Sequence, residues 1–220
     1  MLDKIVLLVV DDHPMIVKGY KVSIESSKNL PKTELHISYT IDEALKYLKR
    51  AKKNPYNIVL LDINLGPSRD GKIFDGEDLG KLIRFEHIHT KIIVSTMHND
   101  PIRVSAIVKA INPEAFLIKT EVTPSLMEDV IMKVISGKRF FSPHVRKITN
   151  NNDHMVSLDE FDKKILYQIS LGEKTKNLPN YIPFSLPTLE RRKRNIKIAF
   201  GIPDGDDKEL IAMAREKGFL

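Results

Sequence analysis

Five side chains able to do chemistry together stand just beyond apolar runs in the first part of the chain. Asp11 and Asp12 follow Ile5 to Val10, and Asp62 follows Asn57 to Leu61. Thr96 follows Lys91 to Ser95, and Lys119 follows Ala115 to Ile118. Three carboxylates gathered at one place repel one another and lose hydration. They therefore call for a hard divalent cation with oxygen ligands, for which Mg²⁺ is suited. A cation there would neutralise both Asp62 and an incoming phosphoryl group, making the carboxylate a competent nucleophile on phosphorus. Lys119 would add a second positive charge for the phosphoryl oxygens, and the Thr96 hydroxyl would donate a hydrogen bond to them. Taken singly each residue has a bland explanation, since Asp12 can cap a helix and Lys119 can be solvated. The order Asp-Asp, Asp, Thr, Lys over four run ends is what a purely structural account would have to produce by coincidence.

The elements that must position these groups are legible in the apolar pattern. The four runs named above and Leu35 to Tyr39 are short and apolar, and read as five strands separated by amphipathic helical stretches. Helix starts carry local chemistry: Thr40 with Glu43 forms a capping box, and Asp100-Pro101 and Thr123-Pro124 place a capping oxygen before a proline of the first turn. Apolar strands alternating with helices predict a doubly wound α/β domain, a five-stranded parallel sheet covered on both faces. In such sheets functional groups collect at the carboxyl ends of the strands, where the five residues fall.

Over this region the chain resembles the receiver domain of bacterial two-component response regulators, a flavodoxin-like fold. The motifs are VVDDHP (Val9 to Pro14), LLDINL (Leu60 to Leu65), STMHND (Ser95 to Asp100) and FLIKT (Phe116 to Thr120). The resemblance implies that Asp62 accepts a phosphoryl group from a sensor histidine kinase. It also implies that Asp12, Asp62 and the Asn64 backbone carbonyl hold Mg²⁺, with Asp11 assisting through water. Thr96 and Phe116 become a switch pair whose movement remodels the face of the fourth helix and fifth strand. One departure is plain. The family follows its acceptor with a short proline-containing loop ending in Asp-Gly, whereas Gly66 replaces the proline and Asp75-Gly76 is the equivalent pair. That is an insertion of about seven residues in LGPSRDGKIFDG, a length that is often functional or mobile; a cover over the site, a control of phosphoryl lifetime, a partner contact and a tolerated surface excursion all stay open.

After Gly137 the pattern changes. Residues 139–155, with Ser142-Pro143 and the polar run Thr149 to Asp153, read as a linker between a receiver at 1–138 and a helical domain at 156–220. That domain should contain four helices: Leu158 to Leu171, capped by Ser157 with Glu160; a segment distorted by Pro179 and Pro183; Leu186 to Ala199, capped by Ser185; and Asp206 to Lys217. The third helix concentrates Arg191, Arg192, Lys193, Arg194 and Lys197 against Glu190, while Leu186, Leu189, Ile196 and Phe200 supply a packing face. A charge run is ordinarily a solvated face, but the third helix of such a unit is where a helix-turn-helix reads DNA. The domain resembles the LuxR/NarL-type helix-turn-helix output domain through LDEFDKKILYQISLGEKTKNL, FSLPTLERRKRNIK, FGI and KELIAMAREKGFL. This resemblance implies that Glu190, Arg191 and Arg194 reach bases. Thr188, Arg192, Lys193, Lys174, Lys176 and Lys197 become candidates for phosphate contacts or local support. It further implies a homodimer on double-stranded DNA, assembled through the last helix.

Composition narrows the alternatives. With no cysteine among 220 residues, disulfides, thiolate catalysis and cysteine-ligated zinc are excluded. No apolar run approaches the roughly 18 residues of a membrane span, and no secretory leader is visible, so a cytoplasmic protein without membrane contact is expected. A net charge of +6 and pI near 9.3 are compatible with a polyanionic partner. His87, His89 and His98 lack the further ligands of a zinc site. No phosphate-binding glycine loop accompanies the strands. Two other functions remain: a regulator whose helical domain binds protein, and an aspartyl-phosphate phosphatase. Against the second, Asn64 occupies the place of the general acid two residues after the nucleophile. A switch protein with at most slow self-dephosphorylation, not an enzyme, is therefore the expectation.

Overall fold

In a computed structural model, residues 4–51, 55–150 and 158–220 are described. The apolar runs become β1 (Lys4–Val10), β2 (Lys32–Ser38), β3 (Ile58–Leu61), β4 (Lys91–Thr96) and β5 (Ala115–Ile118). Every residue of β3 and β5 is buried, as strands covered on both faces require. The helices between them are α1 (Pro14–Glu25), α2 (Ile41–Arg50), α3 (Gly76–Glu86), α4 (Pro101–Ile111) and α5 (Pro124–Ile135). All strand pairs are parallel, in the order β2-β1-β3-β4-β5 and then β6 (Phe140–Phe141).

The sixth strand corrects the expected five, and Thr96 closes β4 instead of following it. Phe140 and Phe141 lie opposite Ala115 and Phe116, and the edge is extended by Phe140 N–H to the Glu114 carbonyl and Ser142 N–H to the Phe116 carbonyl. The stretch read as linker thus holds this strand and α6 (Pro143–Asn150). A two-residue strand is too short to leave a periodic signal; only the backbone of β5 recruits it. The first core joins Leu7, Val9, Leu60, Ile93 and Leu117 of the strands to Val17, Tyr20, Ile24, Met127, Val130 and Val134 of α1 and α5.

The chain divides into two compact units, Met1–Met97 with Ile107–Lys147, and His98–Ala106 with Ile148–Leu220. The second contains α7 (Glu160–Ser170), a 3₁₀ segment (Thr175–Asn180), α8 (Leu186–Ala199) and α9 (Asp207–Glu216). Pro179 inside the second segment, which supplies no amide donor, accounts for a tight 3₁₀ turn where a regular helix would lose a bond. Ile165, Leu166, Leu178, Leu189, Ile196, Leu210 and Ala214 form its core.

Local starts follow the sequence in part. Thr40 accepts from Glu43 N–H, Thr123 from Leu126 N–H and Asp100 from Ile102 and Arg103 N–H. Ser185 precedes α8 but its hydroxyl meets Thr188 Oγ1 at 3.0 Å and caps no backbone amide. The box at α7 is Asp159 with Asp162; Ser157 lies outside the described residues. A carboxylate accepts from two N–H groups at once, Phe161 and Asp162, which a single hydroxyl does less well. No described helix is long and apolar enough to cross a membrane.

Candidate functional site

The carboxyl edge of the sheet gathers the charged residues. Asp11 and Asp62 leave the ends of the adjacent parallel strands β1 and β3, and each is only 1 % exposed. Their backbones are fixed by Asp11 N–H to the Ser38 carbonyl and Asp62 N–H to the Val10 carbonyl. Lys119, at the end of β5, sends its ammonium between them: Nζ lies 2.6 Å from Asp62 Oδ2 and 2.8 Å from Asp11 Oδ2. The other Asp62 oxygen accepts the Asn64 N–H at 3.1 Å. Asp11, Asp12, His13 and Asp62 each offer one ligand atom, all within 4.8 Å of one another, a spacing compatible with a metal ion. Burial pushes the Asp11 carboxyl above its usual range. Hydrogen bonds from Lys119 and the His13 backbone oppose this, and the Asp62 charge adds to it.

Behind the pocket, the Tyr20 hydroxyl of α1 meets Ser95 Oγ at 2.8 Å, beside Thr96. Burial raises this phenol; the Ser95 bond opposes the shift, while the charges of Asp11 and Asp62 add to it, leaving a neutral hydroxyl there. Thr96 and Phe116 are both fully buried. Thr96 lies opposite Ile118 and Phe116 opposite Val94 in the register. Because side chains alternate along a strand, the two are diagonal neighbours on one sheet face.

The long loop after Asn64 is folded. Ser68 is buried, its amide donates to the Ile73 carbonyl, and its hydroxyl bonds to Asp70. The Arg69 amide donates to Asp42 at the start of α2. Asp75 caps α3 by accepting from Asp78 N–H, and Gly76 donates to the Ile63 carbonyl at 3.0 Å. The Gly76 Cα lies so close to the acceptor's backbone that a Cβ there would sit 1.9 Å from the Asp62 carbonyl oxygen. The glycine of the Asp-Gly pair is therefore required by close approach.

On α8, the basic residues divide into two groups. Arg192 reaches back to Asp159 at 2.9 Å and Asp162 at 2.8 Å, and its guanidinium covers the Phe184 ring. Lys193 bonds Thr175 at 2.7 Å and Asp207 at 2.5 Å. Both are thus spent within the helical unit, holding α8 to α7 and to the 3₁₀ segment and α9, the local-support alternative for these two side chains. Glu190, Arg191 and Arg194 are exposed on α8, as are Lys174, which precedes the 3₁₀ turn, and Lys176 within it, while Lys197 and Thr188 are half-buried. The packing face is Leu189, Ile196 and Phe200.

A family model described as the response regulator receiver domain matches residues 7–137. The chain belongs to the response regulator receiver family. Over 200 residues it is 22 % identical to a nitrate/nitrite response regulator protein homolog of Haemophilus influenzae, covering 89 % of this chain and 90 % of the relative. It is 34 % identical over 90 residues to the transcriptional regulatory protein ComA of Bacillus subtilis, spanning 41 % of this chain and 38 % of that protein. Among solved structures, RcsB from Salmonella enterica serovar Typhimurium, bound to promoter rprA in the presence of phosphomimetic BeF3−, superposes with a TM-score of 0.66. The identity is 19 %, with 96 % of this chain and 98 % of that one covered. A second RcsB structure, two dimers on two parallel DNAs, gives a TM-score of 0.63 at 20 % identity, over 96 % of this chain and 98 % of that one. The two-domain response-regulator fold thus extends through the helical unit.

Two residues at the pocket of this response regulator, and one helix cap in its helical unit, escape sequence reasoning. His13 is adjacent to the Asp-Asp pair, so its position was available as a signal. Tyr20 was not: nothing local tells that a residue of α1 will meet Ser95 of β4, 75 positions away in sequence. Asp159 competes with Ser157 as a cap by offering an oxygen to either of two frames, and spacing alone does not choose.

Proposed function

We propose that this chain is a transcriptional response regulator in which a histidine kinase phosphorylates Asp62 and the phosphorylated receiver controls sequence-specific DNA binding by the helical domain. The observation that carries this reading is the buried Lys119 ammonium held between the Asp62 and Asp11 carboxylates at a parallel-sheet edge. An Asp62 oxygen attacks phosphorus, the bond to the donor imidazole breaks, and the electron pair leaves with that nitrogen. Asp12, Asp62 and the Asn64 carbonyl would hold Mg²⁺, with Asp11 behind them. The bound ion supplies neutralisation of the phosphoryl and carboxylate charges. Lys119 then balances the phosphoryl oxygens, and the Thr96 hydroxyl donates to them, with Phe116 following as the reporter of the change.

In the helical domain, Arg191, Arg194 and Glu190 reach base edges and Lys174, Lys176, Lys197 and Thr188 serve the phosphate backbone. Arg192 and Lys193 set the angle of the reading helix. The working form is a homodimer on double-stranded DNA in the cytoplasm, a switch with no turnover of a substrate; ComA's name as a transcriptional regulatory protein and the RcsB dimers on DNA support the DNA-binding and dimer parts of this reading. Incubation with acetyl phosphate and Mg²⁺ should label the wild type and not Asp62→Ala; label retained by that variant rejects the acceptor. Footprinting across phosphorylation states and salt concentrations should find a protected sequence, and finding none in any state rejects the DNA-binding half.

A further inference from the structure

Between Asp129 and Asp153 the sequence holds no carboxylate, although 29 acids in 220 residues would place about three in those 23 positions. The same stretch holds five cations: Lys133, Lys138, Arg139, Arg146 and Lys147. They belong to α5, the turn before β6, and α6, and the fold gathers them at the β6 edge of the sheet. The Lys138 N–H donates to the Lys133 carbonyl at 2.9 Å, so the turn doubles back on the end of α5. Lys133 Nζ and Arg146 Cζ stand 4.9 Å and 6.0 Å from the centre of the same Phe140 ring. In α6 Val145 is wholly buried, while Arg146 and Lys147 are exposed, as are Lys138 and Arg139. The fold itself makes little use of these charges. Lys133 pairs with Asp129 at 2.5 Å, and Arg139 donates to the carbonyl and side-chain oxygens of Asn112, which are neutral. Among the described residues no carboxylate pairs with Lys138, Arg139 or Lys147. On α8, by contrast, Arg192 and Lys193 are neutralised by three carboxylates. A surface that serves only solubility mixes both signs, whereas like charges set side by side repel and cost stability.

We propose that this edge of the receiver is a contact surface for the phosphate backbone of duplex DNA, sequence-independent and additional to the reading helix α8. The inference rests on the DNA-binding reading above. A duplex carries one negative charge per about 1.7 Å of its axis, so neighbouring ammonium and guanidinium groups meet several phosphates at once and release their counterions. Ten residues of sequence separate Lys147 from Leu158 in the core of the helical unit. A duplex engaged by α8 is therefore presented to the receiver edge of the same chain at high effective concentration, and a weak backbone contact there suffices to add affinity.

The test uses the full chain and a fluorescent duplex of random sequence, with affinity followed by anisotropy as salt is raised. Lys138→Gln with Lys147→Gln removes two exposed charges that hold nothing within the fold. The slope of log affinity against log salt should fall by about two, and affinity at physiological salt by about tenfold or more, since each phosphate contact contributes about 0.9 to the slope. Lys138→Arg with Lys147→Arg should restore both. Lys18→Gln with Lys49→Gln, equally exposed on α1 and α2, removes the same net charge and should change the slope by less than about half a unit. A wild-type slope in the Lys138 and Lys147 variant overturns the surface, and so does an equal fall in the α1 and α2 control, which would reduce the effect to net charge. A wild-type slope together with lost binding of polyglutamate assigns the edge to an acidic protein instead and overturns the DNA contact. Arg191→Ala with Arg194→Ala keeps the two readings apart. A slope that depends on these arginines but not on Lys138 and Lys147 defeats the receiver contact alone, whereas a wild type that binds no duplex even at low salt defeats the DNA-binding reading itself.

Discussion

Replacing Gly76 by alanine tests how tightly the acceptor is held from behind. The added Cβ would lie 1.9 Å from the Asp62 carbonyl oxygen, 2.8 Å from Ile63 Cα and 2.9 Å from the Asp62 carbonyl carbon. All three are backbone atoms, so no side chain can swing away, and the closest contact must open by at least 1.1 Å to reach the 3.0 Å limit of real Cβ contacts. Gly76 is not among the positive-φ residues, so its own backbone suits an L-residue and the penalty is steric. Overpacking of this kind costs about 1–3 kcal/mol, against which alanine gains at most about 1 kcal/mol of helix propensity at the start of α3. A net loss of roughly 1–2 kcal/mol should appear in urea denaturation. The same displacement moves Asp62 by about an ångström, enough to slow phosphoryl acceptance by on the order of a hundredfold. Gly66→Ala is the control: nothing lies within 4 Å of its Cβ, its φ is not positive, and its stability should stay within about 0.5 kcal/mol of wild type. Gly76→Ala that unfolds with the wild-type midpoint and takes label from acetyl phosphate at the wild-type rate would refute the close-approach argument.

Three further perturbations separate the roles of other residues. Arg192→Ala leaves the side chain of Asp162, only 12 % exposed, without its guanidinium. It should cost about 1.5–3 kcal/mol in denaturant unfolding followed by circular dichroism, and an unchanged midpoint would remove its supporting role. Arg191→Ala and Arg194→Ala should leave that midpoint alone and weaken DNA by about 1–3 kcal/mol each, with phosphorylation unaffected; normal DNA affinity in both would displace α8 as the reading helix. Asp11→Asn should stabilise the metal-free chain in EDTA at neutral pH. The wild-type carboxyl is raised above 3.8 by burial, so its contribution is fully present below that value and is lost as pH rises through the folded pKa. The two denaturation midpoints should therefore converge below pH 3.8 and diverge above it. A variant less stable than wild type at neutral pH in EDTA would reverse the assigned direction.

Asp62 and Lys119 were visible in the sequence because apolar strands announce their ends, and parallel crossovers can deliver those ends only to one edge. The same local logic gave the capping of α2 and α5, where a side chain serves an amide three residues on. It gave the distorted second helix too, since proline lacks an amide wherever it stands. Tertiary structure decided what depends on distant partners. The 2.6 Å ion pair of Lys119 with Asp62 closes 57 positions of chain, and β6 forms only where β5 offers its free edge. On α8 the sequence presents an unbroken run of basic residues. Only packing distinguishes Arg192 and Lys193, held by carboxylates of α7 and α9, from Arg191 and Arg194, which face water. A helix turns by a fixed angle per residue, but which of its faces meets acids is set by neighbours that the run itself does not contain.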